Sequence, residues 1–277
     1  MPALDLQTAT LDLTDTGGDG PALVLLHGPL LDRTIWDGVI DRLPDMRCIA
    51  PTLPLGAHRH PAPENELTNE SLTRLVADLL VALDLREVTL VLNDWGGAQI
   101  IVELGLADRV TRLALVACEA FDNVPAGQPG RMLARMSRIP GGLAVQAQLT
   151  KLRAVRRRLA ASMAAHPIPD ERMRRWFEPS REASIREDLR RFSARFPIPA
   201  TRDWSSGLAA FTGPALVAWA EDDRMMPAEH GPRLADLLPD AELVRIPDAA
   251  TLVPLDQPDL LARHLRELVQ RPVRPAA

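Results

Sequence analysis

The feature that most restricts this chain is the run Val88-Thr-Leu-Val-Leu-Asn93-Asp94-Trp95-Gly96-Gly97. Its first five residues predict a buried strand, and the two glycines allow a tight turn into a helical period that begins at Ala98. Such a turn lifts its middle side chain at the sheet's C-terminal edge, and that side chain is Asp94. Amides opening the next helix would point at negative charge developing beside it.

With 277 residues, 46% hydrophobic and 25% charged, the chain has apolar content for one large domain or a core with an insertion. Strands are expected at Thr8 to Leu13, Ala22 to Leu26, Arg47 to Ala50, Val88 to Leu92, Leu113 to Ala117, Ala215 to Trp219 and Glu242 to Ile246. Helical periods span Thr34 to Leu43, Ser71 to Leu83, Ala98 to Leu106, Ala228 to Leu237 and Pro258 to Gln270, with Ser71 as an N-cap and Pro258 in a first turn. The order is mostly βαβα, so the fold class is α/β with a mostly parallel central sheet flanked by helices.

That rhythm breaks over 122–205, where Arg-rich helical stretches are punctuated by Pro140, Pro167, Pro169, Pro197 and Pro199. An inserted helical lid is expected there, with 1–121 and 206–277 forming the core. The insertion carries seventeen basic residues against eight acidic ones, and the remainder fifteen against twenty-nine. A basic lid on an acidic core is the plain reading, with Arg156, Arg157 and Arg158 as one solvated turn; recruitment of an anionic substrate is the sharper one. The Pro-rich tail after Gln270 is expected to fray.

A net charge of -5 gives no reason to expect nucleic acid or a membrane as partner. Met1 to Leu13 lack a basic start followed by a long apolar run, and no stretch approaches the ~20 apolar residues of a membrane span. A cytoplasmic protein is expected, with Cys48 and Cys118 as reduced, buried side chains. The chain has no tyrosine, which excludes any mechanism that needs a phenol.

Around Asp94 the sequence resembles the α/β-hydrolase family, in its branch with an aspartate nucleophile: haloalkane dehalogenases, fluoroacetate dehalogenases and epoxide hydrolases. His27-Gly28, closing an apolar strand, is similar to the family's oxyanion-side turn, and Thr52-Leu-Pro-Leu-Gly56 to the turn after the next strand. Ala220-Glu-Asp-Asp223-Arg-Met-Met-Pro227 resembles the segment carrying the triad acid, with Asp223 in the matching place; Glu119 resembles an alternative acid position. A structural ion pair is the plain alternative for either acid. The resemblance implies that Asp94 attacks an sp³ carbon, forming an alkyl ester that a His then helps water to hydrolyse.

Two departures stand out. The position of the family His holds Thr251, which cannot act as a base near neutral pH. The residue after His27-Gly28 is Pro29, which has no N–H to offer an oxyanion, leaving Leu30 as the nearest replacement. His58, His60 and His166 are candidate substitute bases, whereas His230 and His264 lie on peripheral helices and His27 orders its own turn. The absence of tyrosine argues against the epoxide hydrolases, whose lid tyrosines protonate the epoxide. The resemblance to dehalogenases implies halide binding by the Trp95 indole, helped by Trp176 or Trp204 from the lid, with Asn93 beside the nucleophile. No metal spacing or phosphate loop is present in the sequence, so no cofactor is expected.

The expected function is dehalogenase-like hydrolysis of a carbon–halogen bond or activated ester in a small apolar substrate, by a monomer or homodimer, with the second half-reaction impaired. The alternatives are a non-hydrolytic cyclase, lyase or isomerase using Asp94 as acid or base, and a non-catalytic ligand binder.

Overall fold

The computed structural model describes residues 3–63, 67–196 and 203–273. Eight strands form one sheet: β1 (Ala3–Asp5), β2 (Thr10–Asp15), β3 (Ala22–Leu26), β4 (Arg47–Pro51), β5 (Val88–Asp94), β6 (Val110–Cys118), β7 (Ala215–Ala220) and β8 (Ala241–Ile246). Their order is β1-β2-β4-β3-β5-β6-β7-β8. β2 runs antiparallel to β1 and β4, while β3 through β8 pair in parallel. All seven residues of β5 are buried, as expected of a strand covered on both faces.

The helices are α1 (Asp37–Ile40), α2 (Asn69–Ala82), α3 (Gly127–Arg138), α4 (Gly142–Leu149), α5 (Arg153–Met163), α6 (Asp170–Phe177), α7 (Ala183–Ser193), α8 (His230–Leu237), α9 (Val253–Asp256) and α10 (Pro258–Gln270). Helices α3 through α7 fill the chain between β6 and β7, where no strand occurs among the described residues. Pro197 and Pro199 lie outside the described residues.

Several local expectations are corrected. α2 is capped by Thr68, not Ser71: the Thr68 hydroxyl accepts the Ser71 N–H and the Ser71 hydroxyl accepts the Thr68 N–H, a reciprocal box. The period after Gly97 forms only a 3-10 turn, Gly97–Ile101, rather than a helix to Leu106. The period from Thr34 splits into a 3-10 turn, Arg33–Trp36, and the short α1. β1 is a strand that the sequence pattern missed. Arg156 is not solvated: it is 4% exposed and grips both Asp170 oxygens at 2.8 and 2.7 Å, because its neighbouring carbonyls at Thr150 and Lys151 also need a donor. Arg271 does not fray; its guanidinium holds the Ala215 and Asp240 carbonyls, whereas 274–277 lie outside the described residues.

The insertion is fixed to the sheet by buried polar contacts. The Trp176 indole donates to Asp32 at 3.0 Å and Thr34 at 3.2 Å. His58 Nε2 lies 3.0 Å from Asp188 of α7, which also accepts the Ala62 N–H. Cys48 and Cys118 are buried free thiols. No helix among the described residues is long and apolar enough to cross a membrane.

Candidate active site

The site begins where β5 stops. Asp94 has φ +64°, a left-handed conformation that costs a non-glycine residue energy and is retained where the surroundings impose it. Its pairing with β6 also slips, since Asn93 sits opposite Val116 and Asp94 opposite Cys118. Two glycines make the bend possible. A Cβ on Gly28 would overlap the Asp94 carboxyl, and one on Gly96 would overlap the Glu119 carbonyl. Asn93 staples the underside, its amide donating to the carbonyls of Val116 at 2.9 Å and Thr251 at 2.7 Å.

Above the bend lies a largely apolar cavity of about 80 Å³. Asp94 and Glu119 both line it, together with Pro29, Leu30 and side chains of α3, α4, α5 and α7. Asp94 is 6% exposed, and no hydrogen bond reaches its carboxyl among the described residues. Burial, with Asp223 adding like charge, pushes it up to about 7. Burial and the neighbouring Asp94 push Glu119 up to about 8, although one of its oxygens accepts the Ala126 N–H at 2.9 Å. Asp223 is also raised by burial. One oxygen accepts the amides of Met225 and Met226 and the Thr251 hydroxyl at 2.8 Å; Oδ2 is buried without a partner. Thr251, the position at which the family resemblance implies an imidazole, thus bonds Asp223 and is fully buried.

Neither acid forms the ion pair considered as the plain alternative: no cation pairs with Asp223 or Glu119 among the described residues. The histidine candidates are not brought to Asp94, and none of the six lines its cavity. His58 is committed to Asp188 and the Gly56 N–H, and His60 lies 3.2 Å from Asp12. His166, half-exposed, sits between Asp248 and Asp256. His230 packs edge-on against Phe121, and His264 contacts Glu267. His27 does order its turn: Nδ1 donates to the Gly28 carbonyl and Nε2 accepts the Leu53 N–H, while burial lowers it to about 4 and keeps it neutral.

The expected leaving-group contacts also point elsewhere. The Trp95 indole donates to Asn69 at the start of α2, inside the core. Trp176 is spent on Asp32 and Thr34, and Trp204 is half-buried against the core without lining the cavity. The Leu30 amide cannot replace the one Pro29 lacks, because it donates to the Leu55 carbonyl at 2.8 Å. The Trp95 amide turns back onto the Asn93 carbonyl, also at 2.8 Å. Two wall residues were missed in the sequence: Gln146 and Ser193 each present a buried oxygen with no partner. They lie on insertion helices, and only their convergence in three dimensions marks them. No cluster of three or more metal-binding side chains occurs among the described residues.

Residues 21–258 match the sequence profile of the alpha/beta hydrolase fold. A haloalkane dehalogenase from Mesorhizobium japonicum is 35% identical over 99 residues, which cover 35% of this chain and 31% of that protein. Haloalkane dehalogenase 2 of Mycobacterium tuberculosis is 27% identical over 275 residues, covering 90% of this chain and 88% of the relative. Among solved structures, a thermophilic esterase from Thermogutta terrifontis superposes with a TM-score of 0.74 over 98% of both chains, at 22% identity. By its sheet order, its sharp turn at Asp94 and the extent of the profile match, the chain belongs to the α/β-hydrolase fold family.

Proposed function

We propose that Asp94 and Glu119 form an acid–base pair that moves a proton on a small, mostly apolar substrate beneath the helical lid. The reaction class is isomerisation, elimination or ring closure rather than completed hydrolysis. The observation that carries this reading is that two carboxyl groups face the cavity and no imidazole does. Ester hydrolysis at Asp94 needs a base to activate water and amides to receive an oxyanion. Thr251 is no base, Pro29 has no N–H, and the Leu30 and Trp95 amides are engaged. Proton transfer asks only for groups that exchange a proton near neutral pH, which burial provides at about 7 and about 8. Asp94, lifted into the cavity by the turn, serves as base and Glu119 returns the proton as acid; Asp223 is a positioning residue behind Asp94.

A test uses small β,γ-unsaturated ketones and lactones in deuterated buffer. Deuterium should enter the substrate with wild-type protein and not with Asp94→Asn; equal incorporation by both would overturn the proposal. A second reading is favoured by the turn at Asp94 and the dehalogenase relatives: the carboxylate forms a C–O bond as halide leaves with the bonding electrons. Without an imidazole the ester persists. Intact mass after incubation with 1-bromobutane would reveal a lasting butyl group on Asp94 in that case, and unmodified protein would remove this second reading.

A further inference from the structure

We infer that the cavity beside Asp94 takes a small hydrocarbon molecule bearing a basic amine, gripped as its ammonium by Asp94 and Glu119. The inference rests on the proposal that this cavity is the substrate site, and it names the class of molecule. The polar wall holds several acceptor oxygens with few donors to meet them. Asp94 carries no hydrogen bond among the described residues, and Glu119 is met by backbone N–H groups alone, those of Ala126 and Gly96. Ser193, 1% exposed, has a hydroxyl oxygen without a partner, and Gln146 has an amide oxygen without one. Among the described residues, no lysine, arginine or histidine lines the cavity.

A primary ammonium supplies three donors and no acceptor, which matches this set; an alcohol supplies one donor, and a carboxylate supplies none and is repelled. Bringing a cation into so apolar a place is unfavourable unless it is paired and hydrogen-bonded, and two carboxyl groups meet both conditions. The remaining wall, including Leu133, Leu159, Met163, Phe177 and Phe196, suits a hydrocarbon body. A bound ammonium would also supply, from the substrate, the positive charge that an imidazolium gives in relatives with a His. Asp94 would then be held ionised, ready to accept a proton.

Calorimetric titration at pH 8 with n-butylamine, n-butanol and butyrate, for wild type, Asp94→Asn and Glu119→Gln, tests this. Butylamine should bind most tightly and butyrate not at all. Glu119→Gln should weaken butylamine by at least about tenfold, the factor carried by one charge-assisted hydrogen bond, while leaving butanol unchanged. Glutamine can still accept the Ala126 N–H, and circular dichroism checks each variant's fold. Butanol or butyrate binding as tightly as butylamine, or butylamine binding unaltered in both variants, would overturn the inference. Should amine binding fail while Asp94→Asn still abolishes deuterium incorporation, only the ammonium head group is refuted. Failure of both refutes the site.

Discussion

Two buried aspartates stand where the insertion meets the sheet, and they are treated in opposite ways. Asp188 is 1% exposed and Asp94 is 6% exposed, so both have left water. Asp188 is met by His58, the Ala62 N–H and Arg191; burial alone would raise its carboxyl, yet these bonds hold it below the ordinary value. Asp94 meets no donor among the described residues and is pushed up to about 7. A buried carboxyl with every partner in place holds structure together, whereas one left without partners in a cavity is poised to act on something else. The contrast reaches Asp223, where Thr251 supplies a hydroxyl and leaves Oδ2 unpaired.

The largest expected effect sharpens the satisfied half. Asp188→Ala removes the partner of a buried imidazole and an amide, which should cost about 3 kcal/mol, measured as a fall in the urea midpoint. The unsatisfied half should respond with the opposite sign. A raised carboxyl keeps its stability below the unfolded value of 3.8 and loses it as pH rises through about 7 for Asp94 and about 8 for Glu119. Asp94→Asn should therefore stabilise the protein by on the order of 2 kcal/mol at pH 8 and by little at pH 4. Denaturant titrations at the two values give the difference, and a loss of stability at pH 8 would break the comparison.

The satisfied and unsatisfied halves were not equally legible in the sequence. The sharp turn was, because Val88 to Leu92 followed by Gly96 and Gly97 encode strand and bend locally, and Asp94 does face a cavity. Thr251, singled out in the sequence by the resemblance alone, bonds Asp223. The aim of side chains was not legible. Trp95 follows Asp94, yet its indole turns to Asn69, twenty-six positions away, and His58 finds Asp188 a hundred and thirty positions on. Those choices are settled by which buried donor lacks an acceptor, a property of the packed molecule. The same reason hid Arg156, whose run of three arginines looks like a solvated turn until Asp170 and two carbonyls close around it.

Smaller effects refine the contrast. Thr251→His offers Asp223 what Asp188 already has. It should pull the Asp223 carboxyl back below its ordinary value, seen by nuclear magnetic resonance, while overpacking a fully buried position by about 1–2 kcal/mol. An unchanged Asp223 would mean that its unpaired oxygen does not face position 251. Trp95→Phe should cost about 1 kcal/mol through the lost Asn69 bond and leave butylamine affinity as it was, because the indole does not border the cavity.

The most direct measurement is a carbon-13 titration of the aspartate and glutamate carboxyls, compared between wild type, Asp94→Asn and Glu119→Gln. Two cavity resonances should remain protonated at pH 6, titrate near 7 and 8, and vanish one at a time in the two variants. Carboxyls that all titrate below pH 5 would contradict the account, for Asp94 and Glu119 would then be ordinary ionised groups with nothing to exchange at neutral pH.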